Sequence, residues 1–244
     1  MVYALFSLGL LAGVGAVYTA VIGWLWFRQE RLLFEPTPLP VDEALVSDPD
    51  VIEEWIAVPG ARLSAAQLRL PAPRGVVFFL HGNSGNLRDC LVDIDAFRQV
   101  DFDVVMFDYR GYGKSSGKPS EPGTYRDAEA AWRYLIVTRN IEPRRIALLG
   151  ESLGGAVAAW LASRQRPGAL VLASVFTSAP ELGAEVYPFL PVRLLSRYDY
   201  NTRAYLKDVQ APLLIAHSRD DEIIPYRHGQ ALFAAAREPK VFLE

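Results

Sequence analysis

A single cysteine among 244 residues, Cys90, excludes an intrachain disulfide, so the fold requires no oxidising compartment. Lacking any Cys or His partner at metal-ligand spacing, Cys90 reads as a small packing residue. Histidine is nearly as scarce, with only His81, His217 and His228. No two of them stand at ligand spacing with carboxylates on one element, so no metal ligands are assigned and a metal enzyme is disfavoured. Charge is sparse as well, at 22% of residues against 51% hydrophobic, and the net charge of −3 leaves no basic footprint for phosphate backbones. Nucleic acid is therefore not an expected partner. The hydrophobic share also rules out compositional disorder, and this length can bury the core of one domain. Internal repeats and low-complexity tracts are missing too.

The N-terminus lacks charge altogether. No charged side chain occurs over residues 2–27, and residues 4–26 suffice to cross a hydrocarbon core of about 30 Å at about 1.5 Å per residue. Positive charge before the run and an Ala-x-Ala-like site after it are both missing, which favours a single-pass anchor over residues 1–27 against a cleaved signal peptide. Trp24 and Trp26 sit where amphipathic rings prefer the interface, and Arg28 and Arg31 follow at once. The positive-inside bias then places the following domain on the cytoplasmic side, although Glu30 and Glu35 share that flank. Pro36, Pro38 and Pro40 cannot continue a helix, so residues 28–41 are expected to form a Pro-rich connector, semi-rigid over 34–41. The soluble domain is expected over residues 42–244.

Apolar-polar alternation over 51–58 and 63–70, split by Pro59-Gly60, predicts an edge hairpin. Five short continuous apolar runs follow, at 76–80, 104–107, 146–149, 170–173 and 213–216, as expected of strands buried on both faces. Helical stretches near 87–100, 124–139, 153–165 and 226–237 suit crossover connections. The fold class is α/β: a mostly parallel twisted sheet flanked by helices, preceded by one transmembrane helix. Residues 179–208 break the alternation with prolines and aromatics, and read either as a cap over the sheet's carboxyl edge or as an irregular crossover.

Gly150-Glu151-Ser152-Leu153-Gly154-Gly155 follows a buried strand and opens a helix. In that context Gly-x-Ser-x-Gly makes a nucleophile elbow, a sharp turn that exposes the serine oxygen and admits only small flanking residues. At an acyl-transfer transition state the carbonyl oxygen becomes negative, and two backbone N–H groups must already point at it. The residue after the nucleophile and the loop after an earlier strand supply them in this kind of fold, so Leu153 and Asn83 are the candidate oxyanion donors. His81, in His81-Gly82-Asn83-Ser84-Gly85-Asn86, reads as loop-ordering. The loop carrying Asp108 and Lys114 is expected to shape the site, and Arg110 to pair with a local carboxylate.

Four motifs in one order carry a resemblance: the His81 to Asn86 run, Asp108-Tyr109-Arg110-Gly111-Tyr112-Gly113-Lys114-Ser115, the Ser152 elbow, and Asp221-Glu222-Ile223-Ile224-Pro225. Over about residues 28–244 the chain resembles membrane-anchored serine α/β-hydrolases related to the yeast bud-emergence suppressor proteins, with a serine-aminopeptidase-like domain. The resemblance implies an α/β-hydrolase fold and an esterase, thioesterase or lipase-like activity without a cofactor. It selects Asp221 over Asp220 as the acid that supports the base. It also implies a histidine after one further strand, commonly in a Gly-His pair, and none follows the run at 240–244. His217 and His228 do not match that position. The sequence is thus expected to be a C-terminal truncation of an active hydrolase, nearly inert by itself, because a serine hydroxyl is a weak nucleophile without a positioned base.

The expected chemistry is hydrolysis of a carboxylic ester or thioester through an acyl-serine at Ser152, on a small-molecule or lipid-like acyl substrate. The alternatives are an aminopeptidase-like hydrolase and a membrane-tethered scaffold that has lost its base. Acyl group, leaving group and oligomeric state are not legible in the sequence.

Overall fold

The computed structural model describes residues 2–244, side chains at positions 2, 4–6, 8 and 93 excepted. The uncharged opening forms α1 (Val2–Leu33), whose stretch Gly9–Leu33 has a mean hydropathy of 1.8 and is 0% buried. It is long and apolar enough to cross a membrane, a property that signal sequences share. The helix runs past residue 27, where the sequence ends the anchor, because the first proline comes only at Pro36. At about 48 Å it exceeds what a bilayer core requires.

After α1 come β1 (Glu35–Pro36), β2 (Val51–Val58), β3 (Ala61–Leu68), β4 (Gly75–Leu80) and β5 (Ser84–Gly85). Short helices α2 (Leu87–Cys90) and α3 (Ile94–Gln99) lead to β6 (Phe102–Phe107) and α4 (Glu121–Arg133). Then β7 (Ile146–Glu151), α5 (Leu153–Arg164), β8 (Ala169–Ala173), α6 (Ala179–Val186), α7 (Val192–Leu195) and α8 (Thr202–Leu206) follow. The chain closes with β9 (Leu213–Ala216), α9 (Arg227–Ala235) and β10 (Lys240–Leu243).

Some boundaries differ from expectation for local reasons. Val58 pairs Ala61 across the two-residue turn Pro59-Gly60, so β3 starts at 61 and ends at 68 rather than spanning 63–70. The stretch near 87–100 is three short turns, not one helix. Helix α4 begins at Glu121 instead of 124, because the Ser120 hydroxyl accepts from the Gly123 N–H and Pro122 suits the first turn.

Eight strands form one sheet in the order β10-β9-β8-β7-β4-β6-β3-β2, parallel except for the β2/β3 and β3/β6 pairs. Successive residues of β6 divide between two cores. Val105 and Phe107 pack with Phe78, Leu148, Trp132 and Leu161 under α4 and α5, while Val104 and Met106 pack with Leu68, Leu87 and Ile94 under α2 and α3. This double burial is why the strands read as continuous apolar runs. From β4 the chain moves outward to β6, then crosses to β7 on the other side, so β4 and β7 flank a switch point at which the crevice opens.

Candidate functional site

Register carries the candidate residues to one edge. Leu80 pairs Gly150, and Glu151 pairs Ala173, which pairs Ala216. The residues that come next, His81, Ser152, Ser174 and His217, therefore emerge together at the carboxyl ends of β4, β7, β8 and β9. Ser152 N–H donates to the Ala173 carbonyl at 3.0 Å, and Ser174 N–H to the Ala216 carbonyl at 2.9 Å, which fixes these turns to the neighbouring strands.

Ser152 sits at φ 51° and ψ −121°, in the positive-φ region that disfavours a side chain. Such a conformation costs on the order of 1–3 kcal/mol and persists only where the surroundings over-determine it. Here the elbow is locked by close approach. A Cβ on Gly154 would lie 2.1 Å from the Leu80 carbonyl oxygen, and one on Gly155 2.2 Å from Val175 Cγ2. The elbow presses against the end of β4, and a Cβ on Gly82 would stand 3.6 Å from Ser152 Cβ. Ser152 makes no side-chain cap to α5, so its hydroxyl is not spent on the helix it opens.

The carbonyl of Asn83 is held by an unexpected partner. Residues 34–41, expected as a semi-rigid connector, run parallel to the β4 loop as a strap, with β1 paired to β5. The N–H groups of Glu35, Thr37 and Leu39 donate to the carbonyls of Asn83, Gly85 and Gly113, each at 2.9 Å. Prolines at 36, 38 and 40 occupy the alternate positions, where an extended strap needs no donor. The Tyr112 hydroxyl donates to the same Asn83 carbonyl at 2.8 Å. Burial pushes the Tyr112 phenol above its ordinary value, so it remains a donor. With its carbonyl held by two donors, Asn83 lines the pocket that also holds Ser152 and Leu153.

Asp221 lies outside that lining, in the turn after β9, two strands along the sheet from the elbow. Its Oδ1 accepts from the N–H groups of Ile223 at 3.0 Å and Ile224 at 2.8 Å. Partial burial opposes ionisation, but the Ile224 N–H, the Ser174 hydroxyl and the Ile223 N–H outweigh it and hold the carboxyl below its ordinary value. The same turn places Ile223 and Ile224 in the pocket wall. The pocket encloses about 300 Å³ and is mainly apolar, closed by Phe176, Leu182 and Leu190 on one side and by α1 on the other.

The family described as alpha/beta hydrolase fold matches residues 75–193. An uncharacterized protein of Mycobacterium tuberculosis is 38% identical over 97% of this chain and 85% of its own length. The alpha/beta hydrolase domain-containing protein WAV2 of Arabidopsis thaliana is 31% identical over 95% of this chain and 83% of its own. This chain belongs to the α/β-hydrolase family. Among solved structures, an alpha-beta hydrolase from Vibrio vulnificus superposes with a TM-score of 0.67 at 22% identity, covering 80% of this chain and 74% of its own. A Pyrococcus furiosus esterase gives 0.67 at 20% identity, covering 87% of each chain.

None of this hydrolase's three histidines lines the Ser152 pocket. His217 lies 3.6 Å from Asp221 Oδ2, but its ring is fully buried and its Nε2–H donates to the Ile224 carbonyl at 2.7 Å. Its Nδ1 faces Gly229, where a Cβ would come within 2.6 Å. His228 accepts the Thr177 N–H on Nδ1 at 3.1 Å and directs Nε2 toward Glu185 at 3.3 Å, tying α9 to α6. His81 is buried against Tyr109 and Tyr112, its Nδ1–H donates to the Gly82 carbonyl at 2.8 Å, and burial lowers its pKa to about 4. Asp108 beneath it accepts the Leu87 N–H at 2.7 Å, while burial raises its pKa to about 7. Both therefore order loops. Arg110 clasps Asp127 through Nη2 at 2.6 Å, and Lys114 Nζ pairs Glu53 at 2.7 Å.

The sequence reasoning missed the strap, Tyr112 and α1 as parts of the site. Proline at every second position was the available signal for the strap. Nothing local marked the other two.

Proposed function

We propose that this hydrolase cleaves carboxylic esters or thioesters through an acyl-serine at Ser152. The Asn83 and Leu153 N–H groups stabilise the oxyanion, and Asp221 is the orienting acid. The observation that carries this reading is the strained Ser152 elbow opening, beside Asn83, into a half-open apolar pocket. Two structural neighbours, from Pyrococcus furiosus and Rhodothermus marinus, are esterases, which supports the same chemistry. Among the described residues the pocket wall carries no carboxylate that would hold a free ammonium, which favours an acyl ester or thioester over an aminopeptidase substrate.

Because His81, His217 and His228 do not line the pocket, imidazole is supplied from solution as the base in the test below. A second reading, a tethered scaffold without catalysis, draws on that same observation. We place α1 across the membrane, with the domain on the cytoplasmic side by virtue of Arg28 and Arg31. Purified protein offered p-nitrophenyl esters, acyl-thioesters and aminoacyl amides, with and without added imidazole, tests the assignment. Ser152-dependent ester or thioester turnover that rises with imidazole is expected. Preference for the amide overturns the substrate class, and failure of a fluorophosphonate to label Ser152 even with imidazole favours the scaffold.

A further inference from the structure

The outer wall of the Ser152 pocket is built by the helix proposed to be its anchor. Ile22, Leu25, Trp26, Gln29, Leu32 and Leu33 all line it. Their spacing of three and four residues places them on one face of α1. Residues 179–208 close over this face. Gln29 Nε2 donates to the Leu195 carbonyl at 2.9 Å, the Arg197 N–H donates to Gln29 Oε1 at 2.8 Å, and the Tyr18 hydroxyl donates to the Phe189 carbonyl at 2.8 Å.

These contacts set the depth of the cap. Trp24 and Trp26 mark the interface, and Arg28 and Arg197 stack over them at 5.5 and 5.1 Å from the ring centres. Tyr18 stands six residues before Trp24, which puts its contact with the cap about 9 Å further into the bilayer. The side chains beside that contact are apolar and bare: Phe189 is 68% exposed and Leu194 87%. Water penalises such a patch, and acyl chains accept it.

Resting on the ester chemistry proposed above, we infer that the pocket opens sideways into the bilayer between α1 and the cap. Its occupant is the acyl chain of a bilayer-resident lipid ester. Ser152 Oγ attacks the ester carbonyl carbon, and the bond to the lipid alcohol breaks. The alcohol leaves with the proton taken from Ser152 by way of imidazole. Water then hydrolyses the acyl-serine, and the freed fatty acid returns to the bilayer. Helix α1 is thereby a substrate-binding wall as well as a tether.

Full-length protein in phosphatidylcholine–phosphatidylglycerol nanodiscs, doped with a phosphatidylcholine that carries a diazirine on its acyl chain, tests this without requiring turnover. Irradiation is expected to cross-link Phe176, which is 3% exposed and lines the pocket, besides lipid-facing positions such as Leu11. Leu25→Trp and Leu182→Trp, which fill the portal from opposite walls, should lower the Phe176 yield about tenfold relative to Leu11. If either fails to fold, Phe189→Asp on the exposed cap tip gives the same loss. Cross-links confined to Leu11 and its neighbours, or a Phe176 yield indifferent to these substitutions, overturn the proposal. A parallel imidazole-supplemented ester series separates the two readings. KM should fall about fourfold per added methylene that enters the pocket. If no ester turns over, the activity fails while the cross-linking result still decides the portal. If esters turn over with flat KM and Phe176 stays unlabelled, the portal alone fails.

Discussion

The inner and outer walls of the Ser152 pocket are held in contrasting ways. The inner wall, made by the ends of β4 and β7, is fixed at the level of the main chain. Ser152 holds a positive φ, a Cβ on Gly154 would meet the Leu80 carbonyl oxygen at 2.1 Å, and the Asn83 carbonyl is held by two donors. The outer wall, made by α1 and the cap, rests on apolar side chains and a few hydrogen bonds from Tyr18 and Gln29. Main-chain geometry allows no graded adjustment, whereas packed side chains do. In the proposed reaction the wall fixed through the main chain faces the transition state, and the wall built of side chains faces the acyl chain.

The heaviest blow to the inner wall is Ser152→Ala, expected to lower imidazole-supported ester turnover by about 10³-fold or more, measured as kcat/KM. Residual turnover at the wild-type level breaks the comparison at its centre. Gly154→Ala drives a Cβ into the β4 backbone and should cost about 3 kcal/mol or more in a urea titration, since neither strand end has room to move.

The buried pair behind the inner wall gives a pH signature. His81 has a folded pKa of about 4, below its ordinary 6.5, so its contribution to stability is full above 6.5 and is lost as pH falls toward 4. Asp108 is raised to about 7, so it opposes this by losing stability as pH rises through the same window. The wild-type profile should be nearly flat there. Asp108→Asn should unmask the His81 slope, about 3 kcal/mol between pH 6.5 and 4 in thermal or urea unfolding. A flat variant profile would show that the histidine is not buried in its neutral form.

Smaller effects sharpen the contrast. Tyr112→Phe removes one of two donors on the Asn83 carbonyl, and should lower kcat about tenfold with KM little changed, because the oxyanion exists only near the transition state. Gln29→Ala frees residues 195–197 from α1 at a cost of about 1 kcal/mol, and should raise KM for long acyl chains while sparing kcat. A KM effect from Tyr112, or a kcat effect from Gln29, would erase the division of labour.

The fold was legible where local chemistry dictates it. The apolar runs at 76–80 and 104–107 announced strands buried on both faces, and Gly150 to Gly155 after a strand announced an elbow. The choice of Asp221 as the proposed acid rests on its motif, because a lone aspartate in a turn carries no marker of its partners. The strap was half legible: the prolines showed an extended segment, but the acceptors Asn83, Gly85 and Gly113 lie 48, 48 and 74 residues from their donors Glu35, Thr37 and Leu39.

By itself the sequence determined the apolar helix, the α/β alternation and the glycine-flanked elbow at Ser152, because each depends on composition and short-range periodicity. Tertiary structure decided that the helix shares the serine's pocket, that the strap and Tyr112 hold the Asn83 carbonyl, and that His81, His217 and His228 make loop contacts outside the pocket lining. Those outcomes depend on which distant segments the sheet's register brings to one edge. No local pattern encodes that choice.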